Sequence, residues 1–237
     1  WSSDVCSSDL IGTPNGLIRY DGYRFTRFAR DPNNPNSLGG VFIRALLIAR
    51  DGRLWVGTDA DGVSVYDAAS ARFTRYSHDP QQPGSLSHDQ VRALAQDRDG
   101  SIWVGTEKGL THIKDGHFES FTEESGLSNN KVTKLFESHD GTLWISTERG
   151  GLSKYKDGVL SPMKIAGLTD NSVFSLAEDL DGRLWLGTGT GLVCLDGNRL
   201  INYSEIVKTL NDRIHSLLVD YEGILWIGTN GNGLFKV

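Results

Sequence analysis

The stretch from Asp97 to Leu110 reads DRDGSIWVGTEKGL, and its pattern recurs along the chain. Its tryptophan has counterparts at successive spacings of 48, 41, 41 and 41 residues, and the five positions are Trp55, Trp103, Trp144, Trp185 and Trp226. A fixed period in this range indicates a repeat protein in which each period forms one supersecondary unit. The repeat is therefore the unit from which the fold is built.

Each period carries the signals of four short strands. An Asp-Gly or Glu-Gly pair, typical of hairpin turns that need a positive φ, precedes each tryptophan-containing strand. An apolar run before each pair, as at 91–95 and 173–177, indicates a buried inner strand. A glycine begins a third strand, and a fourth follows at 73–76, 118–121 and 200–203. Four antiparallel strands per period, without helical periodicity, predict a β-propeller blade.

This strand inventory predicts an all-β fold, a β-propeller of four-stranded antiparallel blades. The first blade begins at its second strand and the last ends at its third, so we expect about five to six blades of an incomplete propeller. Residues 11–237 are predicted to form this single, partial domain. Residues 1–10, WSSDVCSSDL, lack the alternation of the rest of the chain and are predicted to be a non-native segment.

Composition excludes several classes of partner. The formal net charge of -6 provides no broad basic field, so we expect no nucleic-acid binding. Cys6 and Cys194 have neither metal-ligand spacing nor a disulfide framework. The sequence contains no run of 18 apolar residues, so we expect contact with a membrane only through parts of a longer parent chain.

Motifs of known chemistry are missing from the sequence. It has no nucleophile elbow, zinc-protease motif, phosphate loop or Cys-x-x-Cys pair, so we predict no catalytic residues and no cofactor. The segments 97–100 and 179–182 resemble the start of a calcium loop, but no bidentate glutamate follows and both coincide with the repeat's hairpin turn. The six histidines fall at different phases of the repeat, so no metal site is predicted.

Comparison of the repeats gives a candidate ligand site. The second residue of each inner strand varies while the surrounding frame stays nearly fixed, and equivalent residues of a propeller occupy equivalent radial positions. These second-position residues, predicted to form a ring near the central channel, are Arg44, Arg92, Thr133, Phe174 and His215. The alternative is that they only fill or solvate the channel mouth. The long polar loops 31–40 and 79–90 could also bind a ligand or act as spacers.

The repeat frame, Asp-x-x-Gly-x-Leu-Trp-Ile-Gly-Thr-x-x-Gly-Leu after a Ser-Leu loop, resembles the two-component regulator propeller repeat. The resemblance covers residues 11–237 and includes the Asp-Pro…Ser-Leu connectors at 31–38 and 79–86. Shorter connectors end in Gly-Leu at 126–127 and 167–168 and in Thr-Leu at 209–210. The departures include the truncated first blade, Ser146 for glycine and Glu222 for aspartate, and none of them threatens the fold. The resemblance implies a seven-bladed propeller on the periplasmic side of a bacterial signalling protein, whose histidine kinase or diguanylate cyclase would lie elsewhere in the parent chain.

Three functions remain open from the sequence. The resemblance implies a non-catalytic, extracytoplasmic sensor that binds a small molecule or oligosaccharide and signals through the geometry of a homodimer. Similar propellers include the streptogramin lyases and several glycan-cleaving enzymes, so an enzyme is the second hypothesis. The third is a protein-interaction scaffold, which would expose an apolar patch on one face. The sequence does not separate the sensor from the scaffold.

Overall fold

The computed structural model describes residues 9–168, 171–197, 199–203 and 212–237. These residues form six antiparallel sheets of three or four strands, which are the blades of a β-propeller. The predicted fold class, with about five to six blades, is confirmed. The chain divides between Phe121 and Thr122 into two compact units. The single domain over 11–237 and the non-native origin of 1–10 stay predictions.

The first unit contains three blades. Blade 1 consists of β1 (Asp9–Thr13), β2 (Gly16–Tyr20) and β3 (Phe25–Phe28). Blade 2 consists of β4 (Ile43–Ile48), β5 (Leu54–Thr58), β6 (Val63–Asp67) and β7 (Arg72–Tyr76). Blade 3 consists of β8 (Val91–Gln96), β9 (Ile102–Thr106), β10 (Gly109–Lys114) and β11 (His117–Phe121). Each strand pairs with its neighbour in sequence, so every blade is a simple meander.

The second unit begins with a 3-10 helix at Glu123–Ser125 and contains three more blades. Blade 4 consists of β12 (Val132–Glu137), β13 (Leu143–Thr147), β14 (Gly151–Lys156) and β15 (Val159–Met163). Blade 5 consists of β16 (Val173–Glu178), β17 (Leu184–Thr188), β18 (Leu192–Asp196) and β19 (Arg199–Asn202). Blade 6 consists of β20 (Ile214–Val219), β21 (Leu225–Thr229) and β22 (Leu234–Lys236). The predicted connector end at 209–210 lies outside the described residues.

The tryptophan strand is the centre of each blade's core. Trp55, Trp103 and Trp185 are at most 6% exposed, as expected for core residues, whereas Trp144 and Trp226 are only partly buried. In the second unit, Trp185 of blade 5 belongs to the same apolar cluster as Ile214 and Leu225 of blade 6. Aromatic area at this position therefore covers the face between neighbouring blades.

The glycine of the frame makes room for the next blade. A Cβ added to Gly57 would lie 2.5 Å from Cγ1 of Val91, the first residue of the next inner strand. The same addition at Gly187 would meet Cγ2 of Ile214 at 2.7 Å. The group that approaches each glycine is therefore the side chain of a β-branched residue.

The threonine of the frame closes the loop between the second and third strands. In all six blades its Oγ1 donates to the carbonyl of the glycine at or just before the start of the third strand, over 2.8–3.2 Å. Gly109, one of these glycines, has φ 141°, and a Cβ there would lie 2.7 Å from the carbonyl oxygen of Phe121. The threonine and glycine thus form one clasp, which we call the Thr–Gly clasp, and it closes this end of each blade.

An aspartate organises the hairpin before the tryptophan strand. Asp97 accepts the indole N–H of Trp103 at 2.8 Å through Oδ2, and through Oδ1 it accepts the amides of Asp99 and Ser101, each at 3.0 Å. Gly100 completes the turn with φ 88°. Asp179 and Asp220 bind the indoles of their own blades in the same way, also at 2.8 Å. The turn interpretation of the calcium-like segments is therefore confirmed.

Blade 2 lacks this aspartate. Ala49 takes its place, and Nε1 of Trp55 is buried without a hydrogen-bond partner. A buried donor that loses its acceptor costs about 1–3 kcal/mol.

We therefore expect Asp179→Ala to lower the free energy of unfolding by about 1–3 kcal/mol, since it leaves the indole of Trp185 unpaired. Ala49→Asp, which supplies the missing acceptor to Trp55, should raise it by about 0.5–1.5 kcal/mol. Urea denaturation of both variants measures these changes, and equal stability of Asp179→Ala and the parent chain would contradict the role of the aspartate.

Asp140 gives the fold a dependence on acid pH. The Lys156 ammonium at 2.6 Å, followed by the Ser138 hydroxyl at 2.7 Å, holds the pKa of the Asp140 carboxyl far below its usual range. A carboxyl whose pKa is lower in the folded than in the unfolded state stabilises the fold above the unfolded value of about 4 and loses that contribution as the pH falls. Because the Asp140 side chain is 48% exposed, solvent screening reduces the contribution.

We expect Asp140→Asn to lower the melting temperature at pH 7 and to flatten its decline between about pH 5 and pH 2. Thermal melts at several pH values measure this. Glu124→Gln is the control, because it removes the same charge at an exposed residue with no side-chain hydrogen bond among the described residues. Parallel declines for Asp140→Asn and the parent chain would contradict the prediction.

Candidate functional site

The five second-position residues share one structural feature: each is the extra residue of a β-bulge. In blade 3, Val91 faces Thr106 and Ala93 faces Gly105, so Arg92 has no partner in the ladder. The same register shift spans Arg44, Thr133, Phe174 and His215 in their strands. A bulge redirects a side chain away from the regular pleat. The repeat therefore presents its most variable residue at a fixed irregularity of each inner strand.

In the first unit the second-position residues form ion pairs. Nε of Arg44 donates to Oδ1 of Asp59 at 2.8 Å, and its guanidinium lies 4.5 Å from the ring centre of Phe42. Arg92 donates to Oε1 of Glu107 through both Nε, at 2.6 Å, and Nη2. Both arginines are partly exposed, but a carboxylate of their own blade already engages each guanidinium.

Blade 4 also has an ion pair with the residue after the frame threonine, but its cation does not come from the second-position residue. Thr133 is not charged, and its hydroxyl donates to the carbonyl of Val173 and lies 3.1 Å from Oγ of Ser146. The cation is Lys131, two residues earlier, whose Nζ lies 2.7 Å from Oε2 of Glu148. Thr133 therefore joins blades 4 and 5 and does not point a free hydroxyl at solvent.

Blades 5 and 6 bring the remaining residues together in one cluster. The rings of Phe174 and His215 lie 6.4 Å apart between centres, and the guanidinium of Arg213 lies 4.2 Å from the Phe174 ring centre. Nε2 of His215 is 3.0 Å from Oδ1 of Asn230. Phe174 is half-buried, and Arg213 and His215 are exposed. We call Phe174, Arg213, His215 and Asn230 the blade 5–6 cluster.

One further position of the repeat at this edge was not predicted from the sequence. The residue directly after the frame threonine lies fifteen residues beyond each second-position residue. Its amide donates, over 2.9–3.2 Å, to the carbonyl of the residue two places before that second-position residue. We call these the acceptor positions, and they hold Asp59, Glu107, Glu148, Gly189 and Asn230. The partners of their amides are Phe42, Gln90, Lys131, Ser172 and Arg213. The constant separation of fifteen residues between a basic and an acidic residue in blades 2 and 3 is the signal that could have revealed them.

Lys134 is an additional cation at this edge of blade 4. It follows Thr133 and pairs in register with Ser146, whereas the equivalent residues are alanine or serine in the other blades. Lys134 is exposed, but desolvation by the surrounding protein lowers the pKa of its ammonium below the ordinary value. The bulkier Ser146 in place of glycine thus accompanies a long side chain at the facing residue.

The two long loops are better explained as ordered spacers. The hydroxyl of Ser37 binds both the amide and the carbonyl of Asp31, at 2.9 and 3.0 Å. Ser85 makes the same pair of bonds with Asp79, at the same distances. Arg75 also donates to the carbonyls of the first loop. Several polar groups of these loops are therefore used in hydrogen bonds that order the loops.

Other reactive groups are few. The only free thiol of the described residues is Cys194, which is buried, and burial raises its pKa to about 11, so it is not a ready nucleophile at neutral pH. Among the described residues, no three histidine, cysteine or acidic side chains converge as a metal site would require. Within the same part of the chain, no helix is long and apolar enough to cross a membrane.

Comparison with known proteins identifies the family. The family described as "Two component regulator propeller" matches five times, at residues 37–60, 85–108, 126–149, 167–190 and 210–231. These matches contain the five tryptophan frames, and the chain belongs to this family. A comparison with curated proteins found no match.

Solved structures share the fold at low sequence identity. The extracellular domain of a protein named as a hybrid two-component system, BT3049 from B. thetaiotaomicron, has a TM-score of 0.85 and 24% identity over 100% of this chain and 33% of its own. That of BT4673 from the same organism, named as a one-component system, has a TM-score of 0.77 and 20% identity over 99% of this chain and 33% of its own. Virginiamycin B lyase from Staphylococcus aureus has a TM-score of 0.70 and 14% identity over 94% of this chain and 77% of its own. The chain spans about a third of the length of the first two.

Proposed function

We propose that this chain is a sensor propeller of a bacterial signalling protein, non-catalytic in itself, which binds a small molecule or oligosaccharide. The family and the likeness to two extracellular domains of signalling systems support this proposal. By the same reasoning the domain lies in the periplasm and reports ligand binding through the geometry of a homodimer. The parent protein would carry the output domain.

The observation that carries the proposal is the blade 5–6 cluster. It combines the accessible ring of Phe174 with a guanidinium, an imidazole and an amide within one edge of two adjacent blades. An aromatic face beside several hydrogen-bonding groups suits a ligand that has both apolar and hydroxylated surfaces, such as a sugar. The ion pairs at Arg44 and Arg92 leave those blades less able to offer hydrogen bonds to a ligand.

The exposed apolar surface does not favour the interaction scaffold over the sensor. Leu218 and Leu234 of blade 6 are 62% and 67% exposed. In all five other blades the residue equivalent to Leu234 is fully buried, and these residues are Leu17, Val63, Leu110, Leu152 and Leu192. This surface is therefore the kind that another blade covers, and it is not specific to a foreign partner.

We expect oligosaccharides or small metabolites to raise the melting temperature of the chain with increasing concentration and without turnover, because a ligand that binds only the native state stabilises it. Phe174→Ala should abolish this rise, since it removes the aromatic face of the cluster. Thermal shift against a panel of both ligand types measures the effect, with chromatography of the ligand after incubation to detect products.

Tyr23→Ala is the matched control, because it removes an aromatic ring that is 95% exposed in blade 1, and it should keep the full rise. A rise that survives Phe174→Ala would place the site elsewhere and refute the proposed one. Formation of a product would replace the sensor by an enzyme, and no rise with any ligand would refute ligand binding.

A further inference from the structure

The acceptor positions differ between the blades in a way that changes the charge of one edge. Blades 2, 3 and 4 hold a carboxylate there, and each carboxylate pairs with a cation of its own blade. Blade 5 has Gly189 and blade 6 has Asn230 at the same position. The repeat thus supplies its own acid in three consecutive blades and none in the next two.

The cation is retained where the acid is lost. Arg213 occupies in blade 6 the position of Lys131 in blade 4, two residues before the bulge. Lys131 pairs with Glu148, whereas the residue equivalent to Glu148 in blade 6 is the neutral Asn230. Within the described residues, the guanidinium of Arg213 has no carboxylate partner. The adjacent Asp212 is already engaged: Oδ1 accepts the amide of Arg213 at 2.7 Å, and Oδ2 accepts the amide of Gly231 at 2.8 Å and the side chain of Asn232 at 3.3 Å.

The geometry leaves this guanidinium accessible. Arg213 stacks over the ring of Phe174, 4.2 Å from its centre, and this contact holds the guanidinium towards blade 5, whose acceptor position has no side chain. The imidazole of His215, 6.4 Å from the same ring, adds a second polar group, and its Nε2 lies 3.0 Å from Oδ1 of Asn230. Both Arg213 and His215 are exposed.

We infer that the blade 5–6 cluster binds a carboxylate of the ligand, which takes the place of the acid that Asp59, Glu107 and Glu148 supply in blades 2 to 4. The inference rests on the proposed ligand-binding function and specifies its ligand as an acidic one, such as a uronic acid. Arg213 contributes the charge and a planar pair of donors that matches a carboxylate. Phe174 lies against the apolar face of the ligand.

A carboxylate fits better than a larger anion because the same edge already binds carboxylates three times. The spacing between backbone positions is constant from blade to blade, since the acceptor amide bonds the same carbonyl in each. An anion that enters beside Gly189 therefore meets a space that holds an aspartate or glutamate group in blades 2 to 4. Such charge-assisted bonds are roughly twice as strong as neutral ones.

The test is a titration of the whole 15N-labelled chain, followed by NMR through the Nε–Hε signal of Arg213 and the backbone amide of Asn230. The acidic probes are acetate, galacturonate and trigalacturonate, and the neutral probes are galactose and the methyl ester of trigalacturonate. We expect the acidic probes to shift both signals, the ester to bind at least about tenfold more weakly than trigalacturonate, and added salt to weaken the acidic probes.

Three variants sharpen the test. Asn230→Glu restores the acid found in blades 3 and 4, and it should weaken trigalacturonate binding at least about tenfold by occupying Arg213. Arg213→Gln should have a similar effect, and both changes lie at exposed residues. Arg72→Gln removes an exposed arginine at the start of β7 and should leave the binding unchanged.

Each outcome decides the inference. Equal binding of acid and ester, full binding by Asn230→Glu, or no shift with any acidic probe would overturn it. Neutral ligands that bind in a manner sensitive to Phe174→Ala but not to Arg213→Gln would overturn the carboxylate and leave the proposed sensor intact. A loss of binding in Arg72→Gln would show a nonspecific effect of charge and would equally overturn the site.

Discussion

The contact on which the blades depend is that between the frame glycine of one blade and the first inner-strand residue of the next. Ile43 lies against Gly12, Val91 against Gly57 and Ile214 against Gly187, at distances that no Cβ would permit. These three residues are at most 7% exposed. Since protein interiors are close-packed and tolerate little added volume, a larger residue at Gly12, Gly57 or Gly187 would force adjacent inner strands apart, whereas blade 4 accommodates Ser146 at the same position. The sequence pattern of the frame is therefore a pattern of contacts between blades as much as within one.

This contact also explains why the variable residue lies where it does. The first residue of the inner strand is fixed by the preceding blade, and the third faces the glycine of its own blade. The residue between them is the extra one of the bulge, and neither the ladder nor the packed face determines its side chain. Arg44, Phe174 and His215 can consequently differ in size and charge on an almost constant frame. The Thr–Gly clasp holds the adjacent loop, so the acceptor position is presented at the same place in every blade.

The sequence predicts the fold well because the repeat states its main rules several times. The period, the turn residues and the apolar runs correctly predict the inner strands and the tryptophan strands. The second-position residues are structurally equivalent because the frame fixes the position of the bulge in each inner strand. Strand β15 was missed because Val159–Met163 contains Pro162, and proline argues against a strand. The proline is tolerated because β15 is the outermost strand of its blade and pairs with β14 on one side only. The acceptor positions were missed because each lies fifteen residues from the second-position residue with which it pairs in blades 2 and 3. The partial exposure of Trp144 and Trp226, and the unpaired indole of Trp55, depend on neighbouring side chains that no single repeat encodes.

The energetics of the ion pairs explain how a binding site can arise in only part of such a repeat. Partly exposed pairs such as Arg44–Asp59 contribute about 0–1 kcal/mol, much less than the buried contacts of the frame. The replacement of the acid by Gly189 and Asn230 therefore costs the fold little, because the clasp and the inter-blade contact do not involve that side chain. What changes is the availability of Arg213, which in blade 4 would face a glutamate. A repeat protein can in this way create a local site by omitting one group from an arrangement that its other blades keep complete, and the omitted group then defines the chemistry of the ligand that fits.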